Sequence, residues 1–247
     1  MSKFPSLFSL LIFFSLSLLA DGGFKFETGS NSLEGYLKFK EGNGERIDIK
    51  KDLKNDESDM ILKPSLSFGS QKHRFNFSFE EFKNTSRTEL TEDIIYNGAL
   101  FASQTFVNSS IKMAWAQIQY LYQIHPNFAV GLSIDGIKLD SILSDDGVQQ
   151  ERYTKILILP GINLEGRTTL FEGFDLIGKL SSANAISSGN SFYAYGGIAY
   201  KIIDKTKYFC CTDLHLGYQY KRLEIDTDTF EGEFEYSGLY AGIAIRF

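Results

Sequence analysis

Apolar and polar residues alternate along most of this chain. That is the period of β-strands, in which successive side chains point to opposite faces. The alternation is plainest in Glu233–Phe247, where Leu239, Ala241, Ile243, Ile245 and Phe247 share one face and Tyr236, Gly238, Tyr240, Gly242, Ala244 and Arg246 share the other. Ser30–Lys40 sets Leu33, Leu37 and Phe39 against Glu34, Tyr36 and Lys38, and Met60–Gly69 sets Met60, Leu62, Pro64, Leu66 and Phe68 against Ile61, Lys63, Ser65 and Ser67. Next, Phe75, Phe77 and Phe79 alternate with Asn76, Ser78 and Glu80, and Phe82 falls out of phase, which predicts a β-bulge.

The same period continues. Ala114, Ala116, Ile118, Tyr120 and Tyr122 oppose Trp115, Gln117 and Gln119, and Phe128, Val130, Leu132 and Ile134 oppose Gly131, Ser133 and Asp135. Ile156, Ile158, Ile162 and Leu164 oppose Lys155, Gly161 and Asn163, while Phe174, Leu176 and Leu180 oppose Asp175 and Lys179. Phe192–Ile202 is rich in Tyr and Gly, and Tyr208–Arg222 sets Cys210, Leu214, Leu216, Tyr218 and Tyr220 against Asp213, His215, Gln219 and Lys221. About ten strands result, eight being the alternative count, each near the roughly 9–11 residues that cross a bilayer's hydrocarbon. Short turns at Ser70–Lys72, His125–Asn127, Glu165–Thr168 and Asp204–Lys207 alternate with longer connections at Glu41–Asp59, Arg87–Ser110, Ser141–Gln149, Ala183–Gly189 and Thr227–Glu231. This is the plan of an all-β, antiparallel, up-and-down transmembrane barrel with both termini on the short-turn, periplasmic side. Pro64 and Pro160 lie inside predicted strands, so each must sit at a bulge or where a ladder ends.

A soluble lipocalin-like barrel would use the same alternation inside out. The N-terminus argues for the membrane. Lys3, then the apolar Leu7–Leu19, then Ala20 before Asp21 has the form of a secretory signal peptide over 1–20, leaving 21–247 as one barrel domain in the bacterial outer membrane. The 22 Phe and 13 Tyr suit a lipid-facing wall, and a terminal Phe suits a closing strand read by the barrel-assembly machinery. The formal charge of −6 argues against a nucleic-acid partner. The only cysteines, Cys210 and Cys211, are adjacent in a strand, one outward and one inward, and form no disulfide framework.

Three stretches, Ile47–Leu53, Gly217–Tyr220 with Leu223 and Asp226, and Phe234–Gly242, together resemble an uncharacterised family of small proteobacterial outer-membrane β-barrel proteins. The chain differs from that pattern in having Lys54 in place of Gly and Leu239 in place of Pro. The resemblance implies fold and location, and no chemistry.

The residues predicted to line the lumen are Glu34, Lys38, Lys63, Glu80, Asp135, Lys155, Asp175, Lys179, Asp213, His215 and Lys221. Mixed charges of this kind satisfy one another inside a narrow barrel. His215 beside Asp213 has the spacing of a proton-transfer or metal pair, but a lone His lacks a ligand set and the structural reading is preferred. Of the three His, His73 and His125 fall at short turns and His215 in the lumen, so no base reaches the outer rim and no enzymatic activity, cofactor or metal is expected. The charged connection Glu41–Asp59, with Lys50, Lys51 and Lys54, offers contacts to lipopolysaccharide phosphates, and the acidic pairs Asp145-Asp146 and Asp226/Asp228 lack a calcium-loop spacing. In Arg87–Ser110 the residues Ile94, Ile95, Leu100, Phe101, Phe106 and Val107 predict strands beyond the membrane, a packed lid or an inward constriction. The expected protein is a monomer in outer-membrane lipid and lipopolysaccharide. It would be structural or a narrow conduit for small polar solutes. The alternative is a barrel that binds surface ligands or lipopolysaccharide through its loops, and after it a barrel enzyme acting on lipid or peptide.

Overall fold

The computed structural model describes residues 21–40, 44–54, 60–70, 72–146, 149–185, 188–203 and 211–246. The predicted signal peptide, Cys210 and Phe247 lie outside them. The elements in order are β1 (Asp21–Phe39), β2 (Ile47–Asp48), β3 (Met60–Gly69), β4 (His73–Glu89), β5 (Ile94–Tyr96), β6 (Ala99–Phe101), β7 (Phe106–His125), β8 (Phe128–Asp145), β9 (Gln150–Phe171), β10 (Phe174–Ala185), β11 (Gly189–Ile203), β12 (Cys211–Asp226) and β13 (Phe230–Arg246). Ten of them (β1, β3, β4 and β7 to β13) run in sequence order around an antiparallel barrel, and β13 pairs with β1 to close it. Closure removes the unpaired edges that lipid cannot hydrate. No helix among the described residues is long and apolar enough to cross a membrane.

The strands outrun the bilayer, and the wall turns inside out where they do. On β4 the outward residues are Phe75, Phe77 and Phe79, then Glu81, Lys83, Thr85 and Arg87; the inward ones are Asn76, Ser78 and Glu80, then Phe82. The same exchange occurs at the same level on neighbouring strands. Glu81 pairs with Ala114 on β7, which is followed outward by Lys112, and Ala114 pairs with Lys138 on β8. Beyond β3 and β1, outward Leu239 and Ile243 on β13 give way to Glu235, Glu233 and Glu231, while inward Tyr240 gives way to Tyr236, Phe234 and Phe230. Below this level the outer wall is an apolar belt around a polar interior. Above it a polar outer wall surrounds an apolar core. In lipid the apolar side must face out; in water the hydrophobic effect drives it in.

Several expectations are corrected by this inversion. Phe82 is not at a bulge: the β4–β7 register is unbroken from His73 to Glu89, and Phe82 points inward like Glu80 because it already belongs to the head. On β1 the inward residues above the boundary are Leu33, Leu37 and Phe39, so Glu34 and Lys38 face outward and line no lumen. The turn placed at Glu165–Thr168 falls instead at Glu172–Gly173, with Gly173 at φ +80°, because β9 continues to Phe171.

Both prolines sit one residue past the end of a ladder. The β3–β4 ladder covers Ser65–Gly69, leaving Pro64 with no partner on that side, and the β9–β10 ladder ends at Gly161, next to Pro160. A missing N–H is harmless in both places. Above Met60 the place of β3 beside β1 is taken by β2, where Ile47 pairs with Leu37. The turn after β2 is fastened to β4 by the Ser86 hydroxyl, which donates to the Leu53 carbonyl.

Candidate functional site

The polar interior holds a cavity of about 270 Å³ that opens at the short-turn end, between the inward residues of β1, β3, β4 and β7 to β13. Its charges are arranged around shared carboxylates. Glu165 on β9 accepts from Arg74 of β4 at 2.6 Å and pairs with Lys179 of β10 at 3.2 Å. Asp213 on β12, fully buried, lies 3.0 Å from Arg167 and 2.6 Å from Arg246, while Arg167 also reaches Asp175. Glu27 pairs with Lys25 at 2.6 Å.

At the level of the inversion Glu80 is held by Lys221, by Lys63 at 3.7 Å and by the Tyr236 hydroxyl, which donates at 2.9 Å. Lys63 also donates to Gln219 (3.1 Å), Gln219 donates to the Tyr240 hydroxyl (2.9 Å), and Asn31 donates to the same oxygen (2.6 Å). Buried charges survive when paired and hydrogen-bonded in this way. The network roofs the chamber.

Above the roof the barrel is filled. The β5–β6 hairpin folds inward and delivers Ile94, Tyr96 and Phe101 to the core. Phe39 lies 4.6 Å from Tyr96 and 5.3 Å from Phe230, and Tyr153 stacks on Phe230 at 4.4 Å, so strands from opposite walls meet over the top. The Tyr96 hydroxyl donates to Ser141 Oγ at 2.6 Å, and burial raises its pKa so that it keeps its proton. Of the three forms predicted for Arg87–Ser110, two occur: β4 and β7 extend beyond the belt at its ends, and the hairpin between them is the packed lid, with Leu100 and Phe106 left exposed.

No protein family and no curated protein matches the chain in sequence. In structure it is similar to the outer membrane protease OmpT from Escherichia coli, with a TM-score of 0.57 at 10% identity over 92% of this chain and 97% of that one. The architecture is that of outer-membrane β-barrels. The translocator domain of the autotransporter NalP from Neisseria meningitidis aligns over 96% of this chain and 93% of that one, at 12% identity and a TM-score of 0.43. At such identities the likeness concerns the fold alone.

Of the residues predicted to line the lumen, the barrel brings Lys63, Glu80, Asp135, Asp175, Lys179, Asp213, His215 and Lys221 to its inner face, with Asp135 accepting from Gln117 at 2.8 Å. Lys155 takes an inward position above the roof, opposite Leu139, and is only half-buried. Glu34 and Lys38 stand on the outer wall of the head, where Glu34 meets Lys50 at 2.9 Å and Lys38 lies 3.8 Å from Glu231. Leu239, Ala241, Ile243 and Ile245 face outward in the belt. His215 and Asp213 share a face without hydrogen-bonding to each other, and no group of metal-binding side chains forms among the described residues. Sequence reasoning missed Lys25, Glu27, Arg74, Glu165 and Arg167. They lie near strand ends, and the signal available was their parity with Lys63, Asn76, Asn163 and Asp175, extended to the ends of the strands.

Proposed function

We propose that the protein is a non-enzymatic, monomeric outer-membrane barrel, closed to solute flow and carrying a solid, water-exposed head. The observation that supports this reading is the apolar core from Phe39 to Phe230, which fills the barrel above Glu80. Of the structural and conduit readings, a filled head favours the structural one. The described short turns and the strand ends Asp21 and Arg246 lie together at the chamber end, which favours a periplasmic chamber and a head at the cell surface. The resemblance to small proteobacterial outer-membrane barrels agrees with this location. The closing strand β13, belt residues outward, is the segment that assembly machinery would engage. Against catalysis, His73 and His125 lie at the turn end and His215 inside, far from the head.

A second reading, contact with lipid phosphates, has its own support. Lys83 and Lys112 pair directly across β4 and β7, just above the belt, with Lys138 nearby. Like charges in register repel; Glu81 answers Lys112 at 2.9 Å, and anionic headgroups at that level would answer Lys83 and Lys138.

Planar-bilayer recording tests the first reading. The wild-type protein should insert without discrete conductance steps, and Tyr153→Ala with Phe230→Ala should introduce them. Stepwise conductance of the wild type, altered by neutralising Lys155, Lys179 or Asp175, would favour the conduit.

A further inference from the structure

Beneath its sealed head the barrel keeps a chamber that is more cationic than structural pairing requires. Its lining carries six cationic side chains against three carboxylates, Glu27, Glu165 and Asp213. Two of those carboxylates are each shared by two cations. Counting Asp175 beside Arg167, and Glu80 together with its second lysine Lys221, still leaves two positive charges in excess. This surplus stands in a chain whose formal charge is −6, and inside a low-dielectric wall where a charge is felt strongly.

Neutral groups complete the picture. Asn163 on β9 and Ser181 on β10 are cross-strand partners aimed into the cavity, and His215 faces it from β12. All three side chains are more than nine-tenths buried, yet the Asn163 amide, the Ser181 hydroxyl and both His215 ring nitrogens make no hydrogen bond among the described residues. Buried polar groups are ordinarily satisfied. The unpartnered donors Asn163 Nδ2 and Ser181 Oγ, beside cations that must share their carboxylates, suit an acceptor with negative charge, although Asn163 Oδ1 and Asp213 Oδ1 are unpartnered as well.

We propose that the chamber is a binding site for a small free oxyanion of phosphate or sulfate size, entering from the short-turn end. Lys179 supplies charge, and Asn163 and Ser181 donate hydrogen bonds. The volume suits a tetrahedral oxyanion with some of its water, and it is below the roughly 300–1,000 Å³ usual for drug-sized ligands. A cation would be repelled, and a neutral sugar would leave the surplus charge unanswered. The site goes beyond the structural role proposed above and does not depend on the head being sealed, so bilayer conductance and anion binding fail separately.

The test is calorimetric titration of the refolded full chain, in neutral detergent at low salt, with inorganic phosphate, sulfate, glucose and choline. Saturable binding of phosphate or sulfate, absent for glucose and choline, is expected. Affinity should fall at least tenfold in Lys179→Gln and several-fold in the milder Ser181→Ala, and stay unchanged in Lys38→Gln on the outer head wall. Heat-modifiable gel mobility identifies the folded variants that are compared. Absence of saturable oxyanion binding, equal binding of glucose, or wild-type affinity in both chamber variants would overturn the proposal. Binding of a soluble glycerophosphate with no binding of inorganic phosphate would overturn the free ion in favour of a headgroup.

Discussion

Phe79 and Phe82 lie three residues apart on one unbroken strand and face opposite sides of the barrel wall. Phe79 is 46% exposed on the outside, and Phe82 is 2% exposed inside, where its ring stacks on Tyr236 at 5.9 Å. Between them passes the boundary at which lipid gives way to water. The two phenylalanines mark the ends of two different solvation problems solved by one continuous ladder.

Their substitutions should therefore differ in kind. Phe82→Ala removes a packed core ring and should destabilise the barrel by about 3–5 kcal/mol. Phe79→Ala exchanges one lipid contact for another and should cost far less. Guanidinium unfolding of the protein in lipid vesicles measures both.

Glu80 is the counter-charge for two lysines. Glu80→Gln leaves Lys63 and Lys221 without their carboxylate, and a buried pair broken on one side costs about 3–5 kcal/mol. The double variant Glu80→Gln with Lys221→Met should recover a large part of that loss, as a double-mutant cycle would quantify. The single tryptophan, Trp115, whose ring centre lies 4.4 Å from Lys221 Nζ, reports the change in fluorescence.

The seam between β1 and β13 depends on Gly35. Its φ is +135°, and a Cβ there would stand 1.9 Å from the Glu233 carbonyl oxygen across the seam. Gly35→Ala should lower the unfolding midpoint and open the head to protease. Gly178→Ala, whose Cβ meets nothing within 4 Å on the lipid side, should stay within about 0.5 kcal/mol of wild type. Limited proteolysis of both variants decides it.

Strand number, order and closure were legible in the alternation, because every strand must face lipid somewhere along its length. The inversion was legible too, but as an apparent error. In β4 the apolar residues move from odd to even positions between Phe79 and Phe82, and a two-period reading takes that for a bulge. On β1 the only apolar run long enough to notice, Leu33 to Phe39, belongs to the head, so alternation alone exchanges the faces of the strand and puts Glu34 and Lys38 inside. A parity switch within a strand longer than the bilayer is the signature of a wall leaving the membrane. The chamber was half legible. Lys63, Lys179 and Asp213 follow from parity, whereas the sharing of Glu165 by Arg74 and Lys179 joins residues far apart in sequence that only the closed barrel brings together.

The most direct test maps the wall of β4 by spin-label accessibility. Single cysteines at positions 75, 77, 79, 81, 82, 83 and 85, in a background with Cys210→Ser and Cys211→Ser, would be collided with oxygen and with a water-soluble nickel complex in lipid vesicles. Oxygen should dominate at 75, 77 and 79, nickel at 81, 83 and 85, and position 82 should be shielded from both. Oxygen-dominated labels at 83 and 85, or free access of nickel to 82, would contradict a wall that turns inside out at this level.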